Sequence, residues 1–166
     1  MLDLVYQNLT KDEELQKGFF ISILEIVVGE LELKDKNIEV SISLVDEGKI
    51  RELNNKYRHK DEVTDVLSFP MQSFRLHRPE RAKRFEEPFD HAQGPRSNAK
   101  AFDLGDIFIC LPFAKKEAKS ENVSIDKKLA QLAVHGFLHL LGHDHEKSEE
   151  AEKMFGLEKK ILEKIN

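Results

Sequence analysis

A single cysteine, Cys110, is all the thiol in this chain, so a closed metal site built from several thiolates is excluded within one chain. Cys110 lies in an apolar stretch, Asp106-Ile-Phe-Ile-Cys-Leu111, and is expected to pack rather than to act as a nucleophile. Long apolar runs are missing too. Phe19 to Val28 is broken by Ser22 and Glu25 and falls short of the roughly eighteen residues of a membrane span. The start, Met1-Leu-Asp-Leu-Val-Tyr6, lacks the basic beginning and apolar core of a secretory signal, so the expectation is a cytoplasmic chain with no membrane partner. Positive charge is not in excess. A net charge of −5 argues against tight, indiscriminate binding to nucleic acid and leaves room for a local basic cleft.

What is present fits one domain. At 166 residues and 40% hydrophobic, the chain is long enough to bury a substantial core. Leu2 to Tyr6 reads as a first strand. Thr10-Lys-Asp-Glu13 has the capping-box pattern and predicts a helix reaching about Leu33, with Leu15, Phe19, Ile23 and Ile26 as its buried stripe. Ile38, Val40, Ile42 and Leu44 alternate with polar residues as in a half-buried strand, and Asp46 is placed to cap a second helix running through Tyr57. Asp65–Pro70 and Asp106–Leu111 read as two more strands, and helices are expected at about 113–121, 126–141 and 147–164. The predicted class is α+β: a small mixed sheet of about four strands packed with about five helices.

Four of the seven histidines fall inside eleven residues, His135-Gly-Phe-Leu-His139-Leu-Leu-Gly142-His143-Asp144-His145. On a helix, His135 and His139 lie one above the other on a single face. Gly142 tolerates a left-handed backbone, which ends the helix and lets the reversed chain return His145 as a third nitrogen. His-x3-His-x5-His, with a glycine three residues after the second histidine, repeats the spacing of the metzincin zinc signature. Three protein ligands leave a position open, as in catalytic zinc sites; three imidazoles also accept nickel, cobalt or copper. His143 is the spare, expected to face solvent or to support a ligand, and Asp144 is either a turn residue or an orienting acid. Where His-Glu-x-x-His peptidases carry their general base this chain has Gly136, so a peptidase reading loses its base. Gly136 leaves space for a closely packed backbone or for a bulky substrate group.

Residues 71–100 do not follow this periodicity. Seven basic side chains stand against four acidic ones there, giving +3 and leaving −8 on the remainder, and three of the five prolines are in it. A loop of this length is functional or disordered; the segment at about 72–100 is read as a mobile, solvated insertion in preference to an RNA-guiding arm, since its only aromatics are Phe74, Phe85 and Phe89.

Leu53-Asn-Asn-Lys-Tyr57-Arg58, Thr64-Asp-Val-Leu-Ser68-Phe-Pro70, Leu104-Gly-Asp-Ile107 and the histidine motif at 135–145 occur in the order in which the YbeY family of bacterial rRNA maturation factors carries them, and over most of its length the chain resembles that family. The resemblance implies a zinc-dependent endoribonuclease directed at single strands, acting in small-subunit ribosomal RNA processing and ribosome quality control. It implies an α+β fold, His135, His139 and His145 as ligands, and Arg58 as the basic residue of the active cleft. Val63 replaces the proline common before Thr64, and the connection from Pro70 to Leu104 is longer than usual, so nothing is carried over to residues 71–103.

The residues agree with phosphodiester chemistry. Arg58 offers a planar, permanently charged fork suited to phosphate, within the basic run Lys56, Arg58, His59, Lys60; a solvated helix end is the plainer reading of that run. Ser68 and Asp106 are expected to serve as strand-end residues. Two rival readings stand beside the nuclease: a metal-dependent hydrolase of another substrate, and a ribosome-associated binding factor whose metal is structural.

Overall fold

The computed structural model describes residues 1–12, 15–71, 101–145 and 148–165. The expected insertion at 72–100 and Glu13 of the expected capping box lie outside the described residues. In chain order the elements are β1 (Leu2–Asn8), α1 (Lys17–Glu30), β2 (Ile38–Val45), α2 (Glu47–Arg58), β3 (Val66–Pro70), β4 (Phe102–Cys110), α3 (Leu111–Glu121), α4 (Ile125–Leu140) and α5 (Ser148–Ile165). The four strands form one sheet in the order β1-β2-β4-β3. β1, β2 and β4 are parallel, and β3 runs antiparallel to β4 at the edge. The α+β class expected from the sequence is the class observed.

Side-chain alternation divides the core between the two faces of the sheet. Ile38, Val40, Ile42 and Leu44 of β2, with Ile107 and Ile109 of β4, join α1, α4 and α5 in the larger cluster. Leu67, Phe69, Phe108 and Cys110 point the other way and meet Ile50 and Leu53 of α2. α3 touches both, through Leu111 and Ala114 on one side and Phe113 on the other. α4 lies directly on β3 and β4 because Gly136 has no side chain: a Cβ there would stand 2.8 Å from Ile107 Cγ2 and 3.0 Å from Ser68 Oγ. The space beside α4 is therefore filled by two side chains of the sheet, and neither of the occupants expected for it is what fills it.

The first helix departs from expectation. Thr10 does not cap it; its N–H and hydroxyl donate to Asn8 Oδ1 (3.0 and 2.7 Å), and its own oxygen accepts the N–H of Asp12 at 3.3 Å. Such local bonds compete with helix formation, and α1 starts only after Gln16, which makes no side-chain cap bond. It ends at Glu30 rather than Leu33, and its buried residues are Phe20, Ile23, Leu24, Val27 and Val28. The run from Phe19 to Val28 is apolar on nearly every face, which leaves the period ambiguous and shifts the stripe away from Phe19 and Ile26. α2 follows expectation: Asp46 accepts the N–H of Lys49 at 2.8 Å. β4 begins four residues before the expected Asp106.

Candidate metal centre

α4 starts at Ser124, whose side chain accepts the N–H of Lys127, and stops in a two-bond reversal. Gly142, at φ 92°, donates to the carbonyl of His139, and His143 donates to the carbonyl of Leu138. These are the paired bonds of a Schellman end, which a glycine in the left-handed region makes possible. The reversal brings His145 back over the helix. The His135 and His139 ring centroids are 4.6 Å apart, and His145 stands 5.5 and 5.0 Å from them. One ring nitrogen from each lies within 4.8 Å of the others, a group that could hold one metal ion.

The hydrogen bonds behind the rings decide which nitrogens face inward. His139 Nδ1 is 2.9 Å from the carbonyl of His143, and a carbonyl only accepts, so the proton of this ring sits on Nδ1 and Nε2 is bare. His135 Nδ1 is 3.0 Å from Glu158 Oε2, and an ionised carboxylate imposes the same tautomer. The two Nε2 atoms then face each other at 3.1 Å with two lone pairs and no proton between them. That contact is repulsive without a cation. Two nitrogens sharing a tetrahedral zinc at ordinary bond lengths stand about 3.3 Å apart, so the His135–His139 pair is spaced for such an ion, with a nitrogen of His145 within 4.8 Å. Burial first, and His135 second, push the His139 pKa down to about 4, which keeps the ring neutral and its lone pair available at pH 7.

A sequence model of the family Endoribonuclease YbeY matches residues 5–166. The chain belongs to the endoribonuclease YbeY family. Among curated relatives, Endoribonuclease YbeY of Bacillus cereus (strain G9842) is 38% identical over 164 residues, 98% of this chain and 96% of the relative. Endoribonuclease YbeY of Sulfurihydrogenibium sp. (strain YO3AOP1) is 39% identical over 154 residues, 92% and 86% of the two chains. A solution structure of TM1509 from Thermotoga maritima aligns with a TM-score of 0.60 at 24% identity, covering 99% of this chain and 89% of that one. This last likeness concerns the fold.

Within this YbeY-family chain the other candidates fall into separate places. Arg58 is the exposed last residue of α2, the helix that packs on the face of the sheet opposite α4, and its side chain makes no hydrogen bond or ion pair with another described residue. His59 follows it in the left-handed region at φ 57°, and the loop behind is tied down by Asn54 Nδ2 on the carbonyl of Glu62 and by the Arg51–Asp61 pair. His143 supports His139 through its main chain, and Asp144 Oδ1 accepts the N–H of His145 at 2.7 Å, a turn role. Ser68 packs toward Gly136, and Asp106 is buried in β4. Cys110 is fully buried and burial pushes its thiol up to about 11, so it is protonated at neutral pH. Two residues of the centre went unforeseen, Glu158 behind His135 and Phe155, which stacks on His145 at 5.8 Å and 15°. Both sit on α5.

Proposed function

We propose that this chain is a zinc-dependent endoribonuclease that cleaves single-stranded ribosomal RNA during small-subunit maturation and ribosome quality control, working in the cytoplasm at or near the ribosome. Membership of the endoribonuclease YbeY family supports the reaction class. Among the described residues, no helix is long and apolar enough to cross a membrane. The single observation that carries the metal reading is the pair of bare Nε2 atoms 3.1 Å apart with His145 beside them; His135, His139 and His145 would hold the ion. When bound there, a divalent ion supplies Lewis acidity toward a phosphoryl oxygen and toward water.

The chain's own residues do the rest. The rings of His135 and His139 direct their Nε2 atoms inward, held from behind by Glu158 and by the His143 carbonyl. Arg58, as the family resemblance implies, would supply a permanent charge and a donor fork to a phosphate of the bound RNA. The test is cleavage of a labelled single-stranded ribosomal RNA fragment by the pure protein, with and without chelator and with zinc restored. Cleavage that needs the metal is expected. Metal-free protein that cuts at the full rate would refute the reading, and a metal-loaded protein that cuts no RNA would return it to the class of binding factors.

A further inference from the structure

Glu158 occupies a position where a helix of this kind should carry an apolar residue. It lies between Met154 and Ile161 on the inward stripe of α5, 7% exposed, while both neighbours are fully buried. An acidic side chain is seldom taken out of water without a partner, and the partner here is His135 Nδ1 at 3.0 Å. The surrounding surface of α5 offers acids in plenty, Glu149, Glu152 and Glu163 among them, all exposed. Glu158 alone is turned into the core, against a proposed ligand.

We propose that Glu158 is a positioning residue of the metal centre: its carboxylate accepts the Nδ1–H of His135, fixing the tautomer and ring orientation that present Nε2 to the ion. The proposal rests on the metal reading above. A carboxylate at Nδ1 is on the far side of the imidazole from the Nε2 cluster, so it acts through His135 and does not meet the ion or the substrate. Its negative charge also raises the basicity of the ligating nitrogen. Because Glu158 comes from α5, the last helix is coupled to the centre by a hydrogen bond as well as by packing.

The test compares the full-length chain with Glu158→Ala, Glu158→Gln and, as a control for charge on the same helix, Glu152→Gln. Zinc and cobalt affinities are measured by competition with a chromophoric chelator, and the visible absorption spectrum of the cobalt form reports the ligand field. Glu158→Ala should weaken affinity about 10- to 100-fold and alter the cobalt spectrum. Glu158→Gln, which keeps the volume and an acceptor oxygen but not the charge, should lose less, on the order of several-fold; Glu152→Gln should match the parent chain. A merely structural glutamate would lower the melting temperature of the metal-free chain and leave affinity and spectrum alone. Parental affinity and spectrum in folded Glu158→Ala overturn the proposal, and should that variant fail to fold, the same result in Glu158→Gln overturns it. A parent chain that binds neither metal would defeat the metal reading itself, an outcome distinct from either.

Discussion

The two faces of the sheet prepare their polar groups in opposite ways. On the α4 face, His135 and His139 are half-buried, each ring is pinned from behind, and the helix that carries them lies on β3 and β4 with no room for a methyl group at Gly136. On the α2 face, Arg58 ends a helix in solvent with no partner among the described residues. The first arrangement is organised before anything binds. The second is not: a free guanidinium keeps its rotamers and its water, so any use of it carries an ordering cost at the moment of binding. If Arg58 acts on the RNA as proposed, variants on the two faces should separate metal binding from catalysis.

The largest expected effect breaks the organised face. His139→Ala removes one of the two half-buried rings and should abolish metal binding, which elemental analysis after gentle purification would show as a fall from about one equivalent to none. An ion retained in full by that variant would mean that it is bound elsewhere. Next in size is the exposed face. Arg58→Ala should leave metal content and melting temperature near the parental values and slow RNA turnover on the order of a hundredfold, about 3 kcal/mol, as loss of one electrostatic donor does. Arg58→Lys should recover part of the loss, since it keeps the charge without the fork. If turnover at saturating RNA is the same in all three, Arg58 is a solvated helix end and nothing more.

The difference between the faces also governs what could be read beforehand. The three histidines lie within eleven residues, so helix periodicity and a glycine stop were enough to bring them together, and the observed reversal at Gly142 follows that logic bond for bond. Glu158 and Phe155 could not be found this way. They are ten or more residues further on in a helix rich in Glu and Lys, where one acid looks like the next until burial singles it out. Thr10-x-x-Glu13 misled for a related reason, since Asn8, two residues upstream, captured the threonine that was expected to cap the helix. Local pattern was informative where the chain's partners are local. It failed where tertiary contact or a competing side chain decided.

The smallest expected effects come from a matched pair of glycines, one on each of the two helices that frame the centre. Alanine in place of glycine inside a helix is worth about 1 kcal/mol in its favour, so the sign of each substitution depends on what the new methyl meets. At Gly136 it meets Ile107 Cγ2 at 2.8 Å and Ser68 Oγ at 3.0 Å; Cγ2 is fixed to a β-branched carbon and cannot swing away. Overpacking of this kind costs roughly 1–3 kcal/mol, which cancels or exceeds the helical gain, and relief requires α4 to lift from β3 and β4, carrying His135 and His139 with it. At Gly156 no atom lies within 4 Å, so the helical gain stands alone. Gly136→Ala should therefore lower stability by about 1 kcal/mol net and weaken metal affinity, whereas Gly156→Ala should raise stability by up to about 1 kcal/mol with affinity unchanged. Thermal melting of the metal-free chains and chelator competition on the loaded ones measure both. Two stabilised variants with parental affinity would show that α4 is not held against the sheet as tightly as the centre's preorganisation requires.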